Sequence, residues 1–461
     1  MHSSRRSTHY QQKRVNYHAT HNDSYQFFNL LTTPEFFDHL EEHLPAHRER
    51  LFPPAETLSM FLAQAMNEDR SCQRIVNDAA IKRLVGGLPS CSTRTGAYCR
   101  ARQRLPLSML SSLTRCVGNT ISQQSLPQWR WRNRSVKLVD GTTISMPDTT
   151  DNQTTYPQPS GQEPGLGFPI CRLVGLLCLG SGALLDSAIS PLKGKGNDEQ
   201  SLLRSMLGTL NQDDVLLGDA YYATYFLYCS LQKMGVDAVF EQQGSRRLNT
   251  DFRKGTRLGE RDHLITLTKA RKCPRWMTQE DYDQAPDSVV VRELYTGGKI
   301  LVTTLLCAKT TPKKDVQALY KKRWNVELDL RNIKTTLGMD ILSCRTPQMI
   351  QKEIQVYLLA YNLIRYIMLH SALLADISPR QISFKHSLQF WLLLDQQTGG
   401  TDDDLWEAVL RLVAQNKVGD RPGRIEPRAV KRRPKPYPLL SKARAIASKD
   451  VRQNGHPKKL K

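Results

Sequence analysis

Residues 313–338 bring together side chains suited to phosphate chemistry. Pro312 before this stretch and Gly338 at its end are typical helix boundary residues, so the stretch predicts one helix. At about 100° per residue, one face of that helix carries Tyr320, Arg323, Glu327, Arg331 and Lys334. An adjacent apolar stripe predicts contact with a core and consists of Leu319, Val326, Leu330, Ile333 and Leu337. A solvated helix face could carry the same charges, so other parts of the chain must decide.

Two aspartates each end a short apolar run of the kind found in buried strands. Asp140 ends KLVD, and Asp219 ends VLLGD. Each aspartate alone also fits a tight turn or a helix cap, so neither indicates a site by itself. Ligands of open α/β sheets bind at strand ends, where these two carboxylates could meet that of Glu327. Three carboxylates form an all-oxygen site of the kind that Mg²⁺ prefers.

Such a site predicts in-line displacement at phosphorus. Two cations would activate water or a 3′-hydroxyl and stabilise the leaving oxygen. The two arginines and the lysine of the helix face would hold the DNA backbone beside the scissile phosphate. Asp315 and Asp329 on the same helix are alternatives to Glu327, but the helical period points them away from that face. No Ser/His/Asp or Cys/His spacing indicates a covalent nucleophile.

The composition narrows the functional class. The formal net charge of +21 and the pI of about 9.6 predict a polyanionic partner. The ten cysteines show no zinc-binding spacing, which favours a reducing compartment with free thiols. No signal-peptide pattern opens the chain. The apolar segment 173–185 is too short to span a membrane, and Arg365 and His370 interrupt the segment 356–374. We therefore expect a cytoplasmic protein that binds no membrane.

The N-terminal part is predicted to be basic and helical. Residues 1–26 lack any hydrophobic period and are expected to form a mobile basic arm. Residues 27–130 carry apolar residues at spacings of three and four, which predict helices, and include an Arg-rich connection at 92–106. This combination suits DNA binding, although a solvated helix bundle could show it too. We therefore predict a helical DNA-binding domain over 27–130.

From residue 131 onward the patterns predict a mixed α/β core. Strand patterns lie at 135–146, 171–182, 183–190, 214–220 and 236–242. The first strands are expected to be antiparallel, and the polar stretch after the first one is expected to be a loop. Helices are predicted on both sides of the fourth strand, the earlier one beginning near Asn197, which is an acceptable N-cap residue.

The core is predicted in two parts, 131–240 and 313–375, because a β-rich insertion over 241–312 separates them. Within the insertion, the basic stretch 245–263 is expected to be a loop, and three strand patterns follow at 263–270, 288–296 and 299–307. The second part begins with the helix predicted over 313–338, which we call the polar helix. Residues 376–461 are predicted to form C-terminal helices and a basic tail. From Gly419 the tail is expected to be extended and to lie along DNA phosphates.

The polar helix resembles the Tyr-Arg-Glu-Lys signature of the insertion-sequence-four family of DDE transposases. Tyr320, Arg323, Glu327 and Lys334 are separated by two, three and six residues, as in that signature. The stretches VDGTTISMPDTTDNQTTYPQPSGQEPGLGFP and LLGDAYYATYF are similar to the regions around the family's two aspartates. The resemblance covers most of residues 27–445. One departure is AYY after the second aspartate, where some members have Arg-Gly-Tyr.

The resemblance implies an RNase H-like core that is interrupted by the β-rich insertion. Asp140, Asp219 and Glu327 would be the catalytic residues and would hold two Mg²⁺ or Mn²⁺ ions. The tyrosine, arginine and lysine of the signature would contact DNA near the cleaved end. The family acts as a homodimer on terminal inverted repeats, cutting donor DNA and joining the 3′ ends to target DNA. Some members hold a flipped base with an aromatic residue in the insertion, for which Trp276 is a candidate.

Two other functions fit parts of the sequence. A catalytically inactive, DNA-binding relative that represses or inhibits transposition would explain the charge and the basic tail. Such a protein would not need three carboxylates that converge. A plain metal-dependent nuclease would not need so large a basic helical module. The sequence therefore favours an active transposase.

Overall fold

The computed structural model describes residues 51–85, 90–394, 403–419 and 440–455, together with Glu42 and Leu44. The predicted arm at 1–26 lies outside the described residues, as does most of 27–50.

Nine strands form one mixed sheet. They are β1 Val136–Ser145, β2 Ile170–Cys178, β3 Leu184–Pro191, β4 Val215–Gly218, β5 Asp237–Glu241, β6 Thr256–Gly259, β7 Asp262–Thr268, β8 Ser288–Thr296 and β9 Lys299–Thr303. Their spatial order is β3-β2-β1-β4-β5-β9-β8-β7-β6. β1 pairs antiparallel with β2 and parallel with β4, and β4 pairs parallel with β5. The predicted mixed α/β core with antiparallel first strands is confirmed, and the sheet is consistent with an RNase H-like fold.

The β-rich insertion continues this sheet. Its last strand, β9, pairs antiparallel with β5, and β8, β7 and β6 follow in turn. The sequence patterns predicted three of these strands. The expectation of a loop before them is wrong at Thr256–Gly259, which forms β6. This strand is short, and its first two residues are exposed, so it lacks the apolar alternation that marks a half-buried strand.

Helices cover both faces of the sheet and extend beyond it. They are α1 Pro54–Met66, α2 Cys72–Val85, α3 Gly96–Arg104, α4 Leu107–Gln123, α5 Thr150–Thr155, α6 Glu199–Met206, α7 Tyr225–Lys233, α8 Gly244–Arg247, α9 Gln279–Gln284, α10 Lys313–Lys321, α11 Asn325–Arg331, α12 Pro347–Leu374, α13 Phe384–Leu394, α14 Asp403–Gln415 and α15 Arg444–Asn454.

Three local predictions are corrected by these helices. The stretch after β1, expected to be a loop, contains α5, because the Thr149 hydroxyl caps it by accepting a hydrogen bond from the Asn152 N–H. The N-cap of α6 is Asp198, whose carboxylate accepts from the Ser201 N–H. Of the predicted tail, residues 420–439 and 456–461 lie outside the described residues, and Arg444–Asn454 forms α15 instead of an extended chain. That segment contains good helix formers and no proline, and it ends at Gly455 with φ +73°.

The long helix α12 forms the centre of the main hydrophobic core. Its side chains share one cluster with residues of α1, α4, β1 and β2. The Asn362 amide donates to the carbonyls of Thr114 in α4 and Leu184 in β3, at 2.9 and 2.8 Å. Thus α1 and α4 pack into the same hydrophobic core as the sheet. The predicted domain boundary near residue 130 and DNA binding by the N-terminal helices stay predictions.

α12 is the one described helix that is long and apolar enough to cross a membrane. However, 83% of its most apolar window is buried inside the protein. Its apolar character is therefore explained by its position in the core.

The predicted helix over 313–338 is helical throughout but irregular. α10 is followed by a 3₁₀ turn at Lys322–Trp324, then α11, then a π-helical turn at Asn332–Thr336. All five residues of the predicted apolar stripe are buried. The segment ends at Gly338, whose φ of +81° favours glycine. Arg70, between α1 and α2, donates to the Gly338 carbonyl at 2.8 Å and so ties the N-terminal helices to this end.

Candidate active site

The sheet register places both predicted aspartates near the C-terminal end of β4. The pairing of β1 with β4 ends at Leu138 and Leu217, so β1 runs on past the end of β4. Asp140 lies in that extension, still paired with β2. The apolar run suggested that Asp140 lies at the end of its strand, but the residue lies within β1. Asp219 directly follows β4 and caps a 3₁₀ turn by accepting from the Tyr221 N–H at 2.8 Å.

The charge environment of Asp140 shows that several acids lie near it. The pKa of the Asp140 carboxyl is raised to about 6, mainly by burial and to a smaller extent by the carboxylates of Asp219 and Glu199. The Gly141 N–H, which donates to Asp140 Oδ1 at 2.9 Å, and the Arg323 guanidinium act in the opposite direction. A divalent cation would relieve this repulsion among like charges.

Arg323 joins the strand acid to the helix acid. Its Nη2 donates to Glu327 Oε1 at 3.1 Å, and its Nη1 lies 3.8 Å from Asp140 Oδ2. The guanidinium is largely buried, with 15% of the side chain exposed. Asp140 is thus linked to Glu327 of α11 through Arg323 and lies within electrostatic range of Asp219, which follows β4.

The remaining residues of the polar helix face have different surroundings. Tyr320 is buried, and its hydroxyl donates to the carbonyl of Gly218 at 3.3 Å. The Lys334 ammonium donates to Thr142 Oγ1 at 3.1 Å, two residues after Asp140. Arg331 is exposed to solvent. Tyr320 and Lys334 therefore hold the helix against β4 and β1, and the predicted contacts of all three with DNA stay predictions.

The two alternative acids on this helix are used elsewhere, as the helical period predicted. Asp315 forms an ion pair with Arg132. Asp329 is fully buried between the guanidiniums of Arg365 and Arg380. Neither carboxylate is free to replace Glu327.

Sequence reasoning missed Glu199, the first residue of α6. Its carboxyl group lies against the backbone of Gly141, beside Asp140. A glycine directly after the first aspartate was the only sequence signal for such a close approach. The sequence does not show which residue packs against this glycine, so the signal could not identify Glu199.

The donor chemistry of the site fits a hard divalent cation. Asp140, Asp219 and Glu327 supply only carboxylate oxygens, which suit Mg²⁺ and Mn²⁺. Among the described residues no three His, Cys, Asp or Glu side chains stand close enough together to hold an ion. The Arg323 guanidinium instead provides the positive charge between Asp140 and Glu327.

This arrangement predicts competition between Arg323 and a divalent cation. We expect Arg323→Ala to increase the affinity for Mn²⁺ by about fivefold, the equivalent of the ~1 kcal/mol that a partly exposed ion pair contributes. Isothermal titration calorimetry without DNA measures this affinity. Arg331→Ala is the matched control, since it removes the same charge from an exposed position on the same helix. Equal affinities in the two variants would contradict the competition.

The sequence profile of the family described as "Transposase DDE domain" matches residues 131–363, from just before β1 into α12. The chain belongs to this family. The matched region contains Asp140, Asp219 and the whole polar helix. This DDE transposase is also 28% identical over 409 residues to the transposase InsG for insertion sequence element IS4 of Escherichia coli (strain K12), covering 86% of this chain and 89% of that protein.

A second relative matches a smaller part. The putative transposase InsZ of the same strain is 25% identical over 140 residues, which is 30% of this chain and 46% of that protein. The family match and the long alignment with the first relative confirm the predicted resemblance to DDE transposases of the insertion-sequence-four type. Family membership also implies an enzyme that acts on DNA as a nuclease and strand transferase.

Proposed function

We propose that the protein is an active insertion-sequence transposase that binds terminal inverted repeats, cleaves donor DNA and joins the 3′ ends to target DNA. The observation that supports this proposal is the pair of electrostatic links at Asp140. The carboxylate of Asp219 acts on its pKa, and Arg323 links it to Glu327. A protein that only binds DNA does not need acids from three separate segments linked in this way.

In this proposal Asp140, Asp219 and Glu327 hold two Mg²⁺ or Mn²⁺ ions. When bound, such ions would supply Lewis-acid activation of the attacking water or 3′-hydroxyl and of the leaving oxygen. The protein's own groups position the DNA. Arg323 offers a planar guanidinium to a phosphate once it leaves the carboxylates, and Lys334 offers a point charge beside β1.

Two residues of the helix face take different parts in DNA binding. Arg331 is exposed and reaches a phosphate without rearrangement. For Tyr320, contact with DNA requires that its hydroxyl leave the carbonyl of Gly218. Until then the tyrosine mainly keeps the helix next to the Asp219 turn.

The remaining partners follow from the charge distribution. We propose that a homodimer binds double-stranded DNA, with the N-terminal helices and the basic tail holding the inverted repeats and target outside the cleavage point. In α3 and the segment before it, Arg94 and Arg100 are exposed and available to phosphates, whereas Arg102 is turned inward onto Phe61 and Tyr98. We further propose that the protein works in the cytoplasm.

The test uses the purified full chain, Mg²⁺ and linear DNA that carries the ends of its own element. We expect cleavage at those ends and joining of the free 3′ ends to a target plasmid, detected as recombinant products on gels and by sequencing of the junctions. Retention of the ends without cutting would support the inactive relative. Cutting that ignores the ends would indicate a plain nuclease. DNA of the same length with scrambled ends is the control substrate.

A further inference from the structure

Glu199 is a fourth acid at the catalytic edge, and its position is constrained from several sides. A Cβ atom placed on Gly141 would lie 2.4 Å from Glu199 Cδ and 2.5 and 2.7 Å from its two oxygens. Such distances are far below van der Waals contact. The carboxyl group of Glu199 therefore rests directly on the β1 backbone, next to Asp140.

The two oxygens of Glu199 connect different parts of the site. Oε1 lies 3.7 Å from Nε of Arg172, a β2 residue that is paired with Thr143 of β1. Oε2 accepts a hydrogen bond from the Tyr222 hydroxyl at 3.3 Å. Tyr222 ends the 3₁₀ turn that Asp219 caps. One side chain thus touches both the strand of Asp140 and the turn of Asp219.

This position is unfavourable for an acid that served only stability. Burial raises the pKa of the Glu199 carboxyl, and the nearby carboxylates of Asp219 and Asp198 raise it further, against the opposing effect of Arg172 and Tyr222. An uncharged residue of similar volume would avoid that repulsion. Retaining a charge at such a cost is typical of groups that serve a functional site.

We infer that Glu199 is a positioning residue, which sets the separation of Asp140 and Asp219 through its contacts with Gly141 and Tyr222. This inference rests on the proposed function. It concerns the geometry in which the two aspartates receive a cation. Tyr222 transmits the position of Glu199 to Asp219, because the hydroxyl and the cap belong to one short turn.

The test compares three substitutions in the full chain. Glu199→Ala removes both contacts, so we expect at least tenfold weaker Mn²⁺ binding in calorimetry without DNA. The Mg²⁺ concentration for half-maximal end cleavage should rise by a similar factor. Glu199→Gln keeps the size and an oxygen that accepts from Tyr222, so it should restore most of the affinity. Tyr222→Phe should weaken Mn²⁺ binding severalfold.

Controls separate this role from folding and from the proposed function. End binding in EDTA and the melting temperature should match the wild type for the glutamine and phenylalanine variants. Glu163→Gln removes a charge from an exposed loop and should change nothing. Wild-type Mn²⁺ affinity in Glu199→Ala would overturn the inference. A glutamine variant as defective as alanine, with a silent Tyr222→Phe, would overturn it in favour of direct ligation. A wild-type protein that neither binds Mn²⁺ nor cleaves would overturn the proposed function, and this inference with it.

Discussion

Changing any one of Asp140, Asp219 or Glu327 to its amide will abolish DNA strand cleavage while end binding persists. The amide keeps the volume of the side chain and removes the negative charge that a divalent cation requires. We expect cleavage to fall by at least about 10³-fold, on the order of the loss of an essential catalytic group. Gel-based cleavage assays and mobility shifts with end-bearing DNA measure the two activities separately.

The matched control for these variants is Asp148→Asn. Asp148 is exposed and accepts a hydrogen bond from Gln153, eight residues beyond Asp140 and away from its carboxyl group. Its substitution should leave both cleavage and binding unchanged. Cleavage at the wild-type rate by any one of the three amide variants would remove that residue from the site. Loss of end binding together with cleavage would indicate a folding defect instead.

Asp329→Ala will cause the largest loss of stability among single substitutions in the helical segment 313–338. The Asp329 carboxylate is fully buried and accepts from Arg380 at 2.7 Å and from Arg365, which is itself almost fully buried. Removing the acid leaves two guanidiniums without their counter-charge in the interior. Breaking such a buried pair costs about 3–5 kcal/mol. Urea unfolding followed by circular dichroism measures the shift in midpoint.

Asp315→Ala provides the comparison. Asp315 lies on the preceding helical segment and pairs with Arg132, but about a third of its side chain is exposed. Loss of that pair should cost at most about 1 kcal/mol. If the two alanine variants unfold at the same urea concentration, the buried network contributes little. Because Asp329 is two residues from Glu327, its loss should also lower cleavage in the fraction that stays folded.

Much of the core could be predicted from the sequence because its signals are local. Apolar runs bounded by turn residues marked β1 to β5, and a stripe at helical spacing marked the buried face of the polar helix. The two candidate aspartates followed from their places at the ends of such runs, and Glu327 followed from its place on the polar face of the helix. Each of these inferences needed only neighbours within one element, where periodicity reports burial directly.

The rest depends on contacts between distant segments. The approach of Glu199 to Gly141 joins residues almost sixty positions apart, and no pattern in either segment specifies it. The burial of Asp329 depends on Arg365 and Arg380, which belong to later helices. The irregular turns at Lys322–Trp324 and Asn332–Thr336 interrupt a sequence that has a clean helical period. Tertiary packing overrides local preference at such places.

The tail shows the opposite failure, in which composition was given too much weight. Its high positive charge suggested an extended chain throughout. Residues Arg444–Asn454 nevertheless form a helix, since alanine, lysine, arginine and glutamine all favour one. Charge density indicates a partner, but it does not exclude regular structure in a segment without proline.

The pairing of β9 with β5 has a consequence for how the insertion could be lost or replaced. β5 is hydrogen-bonded to β4 along one side and to β9 along the other. A chain that lacked the insertion would display the unpaired backbone of β5, a template for pairing with other molecules. The insertion thus pairs with a strand that would otherwise be an exposed sheet edge. Any natural or engineered shortening must therefore retain a strand beside β5 to keep the protein from aggregating.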